Sequence, residues 1–287
     1  MNTSESILPH DSSRTRALDW LLRPLWVVGA VLCILPVAWM MLGSLKRTNQ
    51  ELYDHPFSFS SAPAWSNYSR AIREGRMGEY LLNSLLVVTL SVALTVVLGV
   101  WSGYALGKKD FPFRQFWLGL IFIGMILPVQ ATLFPLVGIL QRLGLHDSLW
   151  ALVLAYTAQS LPAALWLLAA YFQSVPPDLE EAARMDGAST WRFYTSILMP
   201  IAKPGIATVV VITCLNTWNE FLLAMLLILD PMKKTLPAGM IAFEAAHGTF
   251  YPALLAGLTL ISVPTLIIYA LFNRQVMRGM LAGAVKS

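Results

Sequence analysis

Thr213, Asn216, Asn219 and Glu220 recur at helical spacing inside a long run of Leu, Val, Ile and Ala. On a helix they would form a single polar stripe. Glu220 is the one Asp, Glu, Lys or Arg in any of the long apolar runs of the chain. A carboxylate in that setting costs on the order of 3 kcal/mol or more unless it faces protein or water. Gln130 and Thr132, between Pro128 and Pro135, and Gln159, near Pro162, add neutral hydrogen-bonding groups beside expected kinks. Such groups suit a ligand rich in hydroxyls, and they equally suit hydrogen bonds between helices. The absence of Lys and Arg from these runs disfavours a strongly anionic ligand. A carrier using Glu220 as a proton site remains open, whereas an enzyme buried in the runs would need paired catalytic groups that one carboxylate does not supply. His10, His55, His146 and His247 have no metal-ligand spacing, and Cys33 and Cys214 read as small buried hydrophobes rather than a disulfide.

The elements that must position these residues are membrane helices. Of the 287 residues 56% are hydrophobic and 13% charged, with a mean hydropathy of +0.61 and a net charge of +4. A soluble domain of this size needs more charge, and the charges here lie between apolar runs, which speaks against a nucleic-acid face. Six runs are long enough to cross a lipid bilayer, roughly 25–45, 80–107, 115–139, 149–172, 205–229 and 254–273. The expected fold is therefore an all-α membrane protein with six transmembrane helices. Residues 1–24 form a polar N-terminal segment, residues 25–287 a single membrane domain, and the first run an uncleaved anchor. With the N-terminus inside, the inner segments hold Arg14, Arg16, Arg23, Lys108, Lys109, Arg114, Arg184, Arg192, Lys203, Arg274, Arg278 and Lys286 of the 20 basic residues. The remaining basic residues fall outside, so N-in/C-in is the favoured orientation, with outer loops over 46–79 and 230–253. Gly99, Gly103 and Gly107 recur every fourth residue and read as a close helix-packing face. With Lys108 they miss the phosphate-binding spacing by one residue, and Lys109 stands where Ser or Thr should follow, so no ATP site is visible.

The inner segment 174–204 has a structure of its own. Pro176 and Pro177 pre-set a helix start, and Asp178, Glu180 and Glu181 complement its positive end. Leu179, Ala182 and Ala183 form a small apolar face. Asp186-Gly187 signals a turn, and Ser189 or Thr190 can cap a second helix through about Ile197 before Pro200 stops it. The expectation is a helix-turn-helix whose alanines let a partner approach closely.

These residues carry a resemblance. Glu181-Ala182-Ala183, then Gly187, Ile197 and Pro200, resemble the EAA signature of ABC-importer permease subunits, with Met199 where the pattern usually has Leu. Asp186-Gly187-Ala188, Asn83-Ser84, Trp218-Asn219-Glu220-Phe221, Arg278-Gly279 and Ala282-Gly283-Ala284-Val285-Lys286 are similar to the carbohydrate branch, in particular to the smaller permease subunit of maltose-type transporters. The resemblance implies a non-catalytic, multi-pass subunit of a bacterial cytoplasmic membrane that imports a sugar or oligosaccharide delivered by an extracytoplasmic binding protein. It implies a companion permease and two ATPase subunits, with ATP and Mg bound on the ATPases rather than on this chain. Glu181, Ala182, Ala183, Asp186, Gly187, Ile197 and Pro200 would couple to the ATPase. Gln130, Thr132, Gln159, Asn216, Asn219 and Glu220 would line or gate the substrate path. Gly239, Phe243, Gly248 and Phe250 would belong to a loop that reaches the binding protein. Import of glycerol phosphate or an amino acid is the nearer alternative within the family.

Overall fold

The computed structural model describes the backbone of residues 12–247 and 250–284, and side chains over 23–241, 243 and 250–272. Gly248, the first eleven residues of the N-terminal segment and the side chains of the Arg278–Lys286 motif lie outside that description. From the N-terminal side, α1 (Ser12–Ser44) leads through short helices α2 (Asn49–Asp54) and α3 (Ser66–Glu74) to the long α4 (Met77–Lys108). There follow α5 (Arg114–Ile126), α6 (Val129–Arg142), α7 (Leu149–Ser174) and the short α8 (Asp178–Met185). A single turn, α9 (Thr190–Arg192), passes through a π-helical turn, Phe193–Leu198, into α10 (Met199–Trp218). The remaining helices are α11 (Leu222–Leu227), α12 (Leu236–His247) and α13 (Tyr251–Ala284). No strand occurs among the described residues.

Five helices are long and apolar enough to cross a membrane, or six if α5 and α6 are counted as one broken span. Those two meet at 104°. Pro128 holds Leu127 in extended backbone (φ −62°, ψ 120°) and has no N–H to continue a helix. The kink expected in the run over 115–139 is thus a full break, which makes it a bent pair. The expected helix over 205–229 also breaks, because Asn219 to Phe221 leave the helical path and α11 starts anew.

Pro200 does not stop the second helix of the 174–204 segment. The preceding turn widens to π geometry, in which the Met199 N–H bonds to the Tyr194 carbonyl, and the chain continues as helix to Trp218. The wider turn gives the proline ring room against the preceding carbonyls, so the helix runs on instead of ending.

α4 and α7 form the most extensively packed helix pair. Their approach depends on the expected glycine face. A Cβ placed on Gly103 would sit 2.8 Å from the Leu168 Cβ, and one on Gly107 would sit 2.7 Å from the Ala169 carbonyl oxygen. The backbones are therefore closer than any side chain at these positions would allow.

The connectors gather at two ends of this bundle. At one end the α4 terminus, the α7 terminus, α8 and the start of α10 meet. Lys108 donates to the Val175 carbonyl, and the Tyr171 hydroxyl donates to the Ile201 carbonyl at 2.9 Å. At the other end lie α2, α3, the turn before α7, and the segment from α11 to the start of α13. Buried Asn67 donates to the carbonyls of Ser44 and Lys46, both at 2.8 Å, and Asn83 donates to those of Met232 and Lys234. Lys46 is fully buried there and is neutralised by Glu51 at 3.8 Å while donating to Ser58 at 3.0 Å, as a buried charge requires. These are called below the loop end and the capped end.

Candidate functional site

The breaks in the third and fifth runs open onto one cavity of about 570 Å³. α6 contributes Thr132, α7 contributes Gln159 and Ser160, and α10 contributes Thr213, Asn216 and Thr217, with Glu220 at the break beyond α10. The rest of the lining is mainly apolar, including Met125, Leu136, Pro162, Leu167 and Ile212, and no Lys or Arg takes part. Four of the six residues expected along a substrate path, Thr132, Gln159, Asn216 and Glu220, are thus brought together. Gln130 and Asn219 are not among the lining residues. Gln130 is exposed on α6. Asn219 donates to the Leu215 carbonyl at 2.8 Å and accepts from the Thr265 hydroxyl of α13 at 3.3 Å. Its side chain is taken up by these two bonds, toward α13 rather than the cavity.

Glu220 owes its position to the break. A helix that restarts presents N–H groups with no partner in the preceding turn. The Glu220 carboxylate accepts from two of them, the Leu223 N–H at 2.9 Å and the Ala224 N–H at 3.3 Å. The hydroxyl of Tyr156, an α7 residue only 1% exposed, donates to the same carboxylate at 2.7 Å. An acidic side chain at a helix start is favoured by hydrogen bonding and by the helix dipole together. The carboxylate therefore caps α11 and ties it to α7 at the edge of the cavity. Beside it, the Thr217 hydroxyl is buried and has no hydrogen-bond partner among the described residues. Tyr156 and Thr217 were not singled out from sequence. A Tyr within an apolar run is a signal for a buried polar partner, and Thr217 follows Asn216 on the same helix.

At the loop end, α8 and the turn after it have the expected form. The Glu180 N–H bonds to the Pro177 carbonyl at 2.9 Å, and Gly187 takes φ +76°, which closes the turn as the Ala188 N–H reaches the Ala183 carbonyl at 2.9 Å. Ser189, rather than Thr190, is the cap, accepting from the Arg192 N–H at 3.2 Å. Ala183 is buried against Phe172, Val175, Tyr194 and Leu198. Glu181, Ala182, Asp186, Gly187 and Pro200 are exposed, Ile197 is half-buried, and Met185 is 88% exposed. One face of α8 thus grips the bundle while the other is uncovered. Glu180, expected only to complement the positive end of α8, turns inward and pairs with Lys109 at 2.9 Å and Arg184 at 2.7 Å. Partial burial pushes its carboxyl up, but the hydrogen bonds and charges of Lys109 and Arg184 outweigh this and hold it below the usual carboxylate range.

At the capped end the expected contact loop is largely turned inward. Gly239 lies against the Tyr80 ring and Phe243 is buried beside Met240 and Trp218. The apolar α12 folds onto α4 and α13, so in this chain both residues face the bundle. Phe250 is half-buried under the Arg70 guanidinium, 5.1 Å from the ring centroid. Asp147 (φ +56°) holds the loop from below, accepting from the N–H groups of Leu229 at 2.9 Å and Asp230 at 3.0 Å. The Asp230 N–H foremost, with the Leu229 N–H and Lys233 assisting, keeps the Asp147 carboxyl below its ordinary value against a smaller opposing effect of burial.

Comparison with known proteins places this architecture. The family described as the inner membrane component of binding-protein-dependent transport systems matches residues 95–279, a range that holds the whole cavity lining and the α8 loop. The diacetylchitobiose uptake system permease protein NgcG of Streptomyces coelicolor is 34% identical over 265 residues, covering 92% of this chain and 86% of that protein. The trehalose transport system permease protein SugB of Mycobacterium tuberculosis is 31% identical, covering 94% of this chain and 98% of that one. In fold, the chain is similar to one in the crystal structure of a bacterial ABC transporter involved in the import of the acidic polysaccharide alginate. That likeness has a TM-score of 0.80 at 20% identity and covers 93% of this chain and 99% of the other. With most of its length inside these matches, the chain belongs to the family of inner membrane components of binding-protein-dependent transport systems.

Proposed function

We propose that the chain is one permease subunit of an ATP-driven importer for a neutral sugar or oligosaccharide, set in a bacterial cytoplasmic membrane. The observation that carries this reading is the α8 loop, bare on one face and continuous through α9 and the π turn with α10, whose far end lines the cavity. The bent α5–α6 pair counts as one span, giving six, with the loop end cytoplasmic and the capped end outside. Two ATPase subunits carry ATP and Mg. One docks on Glu181, Ala182, Met185 and the Asp186-Gly187 turn. A companion permease completes the path, and a loaded extracytoplasmic binding protein docks on the capped end.

The cavity supports the substrate class. Its polar groups are hydroxyls and amides with one carboxylate, and no cation is present to hold a phosphate or sulfonate. Relatives named for diacetylchitobiose and trehalose uptake agree with a sugar. Closure of the ATPase pair would move α8, rock the α4–α7 and α10 helices, and open the cavity inward by alternating access. A proton carrier centred on Glu220 is disfavoured, because that carboxylate is already occupied by two backbone N–H groups and Tyr156.

The test is co-purification from the native membrane of wild type, Glu181→Lys and Gly187→Asp. Wild type should bring down an ATPase and a second permease, and the variants should lose the ATPase while retaining the permease. A wild-type chain that purifies alone and transports without ATP would overturn the importer reading.

A further inference from the structure

α8 is attached to the bundle twice. Along the chain it is joined to α10 through the Gly187 turn and the π turn. Across space it is joined to α4, because Lys109 bonds to Glu180 at 2.9 Å and Lys108 donates to the Val175 carbonyl just ahead of α8. Lys109 also lies 5.3 Å from the centroid of the Tyr104 ring. That ring packs edge-on against Phe172 of α7 and Tyr194 of the π turn, at centroid distances of 6.0 and 5.1 Å. A single ammonium thus stands where α4, α7, α8 and the π turn converge. An ion pair this exposed adds little to global stability. What it fixes is direction, since a π turn is a wide, poorly bonded stretch of helix that yields before an α-helix does.

We propose that Lys109, bound to Glu180, is a positioning residue that makes α8 and the end of α4 move as one body. A push on α8 is then delivered to the α4–α7 pair behind the cavity instead of being absorbed in the π turn. Gly103 and Gly107 keep α4 and α7 in backbone contact, so what reaches one reaches the other. The inference rests on the importer reading of the loop, and it assigns the transmitting contact rather than the docking face.

The test uses the complete transporter in liposomes with its binding protein and sugar, and reads sugar imported per ATP hydrolysed. A merely less stable subunit would lower import and stimulated hydrolysis together and leave that ratio unchanged. Lys109→Glu and Glu180→Lys should each lower the ratio by about fivefold or more, and the double reversal should recover it to within about threefold of wild type. Lys109→Arg, which keeps the charge, should stay within about twofold. Where a single reversal sheds the ATPase subunits, the double reversal should restore both assembly and ratio. Single reversals with the wild-type ratio, or a double reversal no better than either single, would overturn the proposal. A wild-type chain that retains no ATPase at all would instead overturn the importer reading, and this inference with it.

Discussion

The two ends of the bundle are held by the same kinds of contact in different proportions. At the capped end, side chains bond mostly to backbone. Asn67 and Asn83 each take two carbonyls, Asp147 takes two N–H groups, and the Ser84 hydroxyl accepts from the Leu236 N–H at 2.8 Å. Such bonds fix the path of the chain and leave little freedom. At the loop end two side chains also bond to backbone, Lys108 and Tyr171, but the remaining ties are the ion pairs of Glu180, an aromatic cluster and a π turn, and the outward face of α8 is bare. One end fixes its chain path largely through buried polar side chains, and the other leaves one helix face uncovered at the far end of the same helices.

Gly103→Leu should break this comparison most completely, because it forces apart the α4–α7 strut that joins both ends. A Cβ already falls 2.8 Å from Leu168, so overpacking of several kcal/mol is expected. Folded yield in detergent should collapse, with no separate effect on either end. Asn67→Leu tests the capped end alone. It strands two buried carbonyls and should cost about 2–4 kcal/mol, read as a lower midpoint of thermal unfolding, while sugar per ATP stays at the wild-type value in the folded fraction. Ser189→Ala tests the loop end, removing the helix cap for about 1 kcal/mol. Its small loss of stability should come with weakened retention of the ATPase, the reverse of the Asn67 pattern.

Acidity should sharpen the contrast with the smallest effect. Asp147 at the capped end and Glu180 at the loop end are both held below their ordinary values. Each contribution is present at neutral pH and is lost only as pH falls through the lowered value in the folded protein. Unfolding midpoints of wild type and Asp147→Asn should therefore differ near pH 7, begin to approach each other only below about pH 4, and converge once the pH is below the lowered value in the folded protein. Sugar per ATP should be unaffected by Asp147→Asn throughout. A change in that ratio would show that the capped end transmits as well as holds.

Much of this architecture was legible in the sequence. Lipid leaves backbone no partners but its own, so long apolar runs announce helices; the Pro-Pro start and Gly187 turn announce α8, and Ser189 or Thr190 the start of the helix after it. What was hidden lay inside the runs. The polar residues Asn219 and Glu220 were visible in the run, but a polar stripe on an unbroken helix and a cap at a restart look alike in sequence, and only the bond from the Leu223 N–H to Glu220 marks the restart. Pro128 did announce a kink, but not that it would reach 104°. Lys109 counted only as an orienting charge, because its partner Glu180 is far away in sequence. The inward turn of Gly239 and Phe243 was equally invisible, since an apolar loop segment reads alike whether it covers the core or a partner.

The π turn at Phe193–Leu198 has one more consequence. Hydrogen bonding from residue 199 back to residue 194 accommodates one residue beyond the α-helical count. One residue is about 100° of helical rotation. The stretch therefore works as a phase adjuster between two faces that must each point somewhere definite. α8 and Trp191 are oriented by the loop, whereas Thr213, Asn216 and Thr217 are oriented by the cavity. Tightening the stretch to ordinary α-helix without removing a residue would turn the cavity face by about 100° relative to the loop, whereas deleting one residue such as Thr195 would restore α-helix with both faces still aligned. A chain shortened there would keep its helix content, its hydropathy profile and its polar residues on the cavity, and would lose only the wide turn.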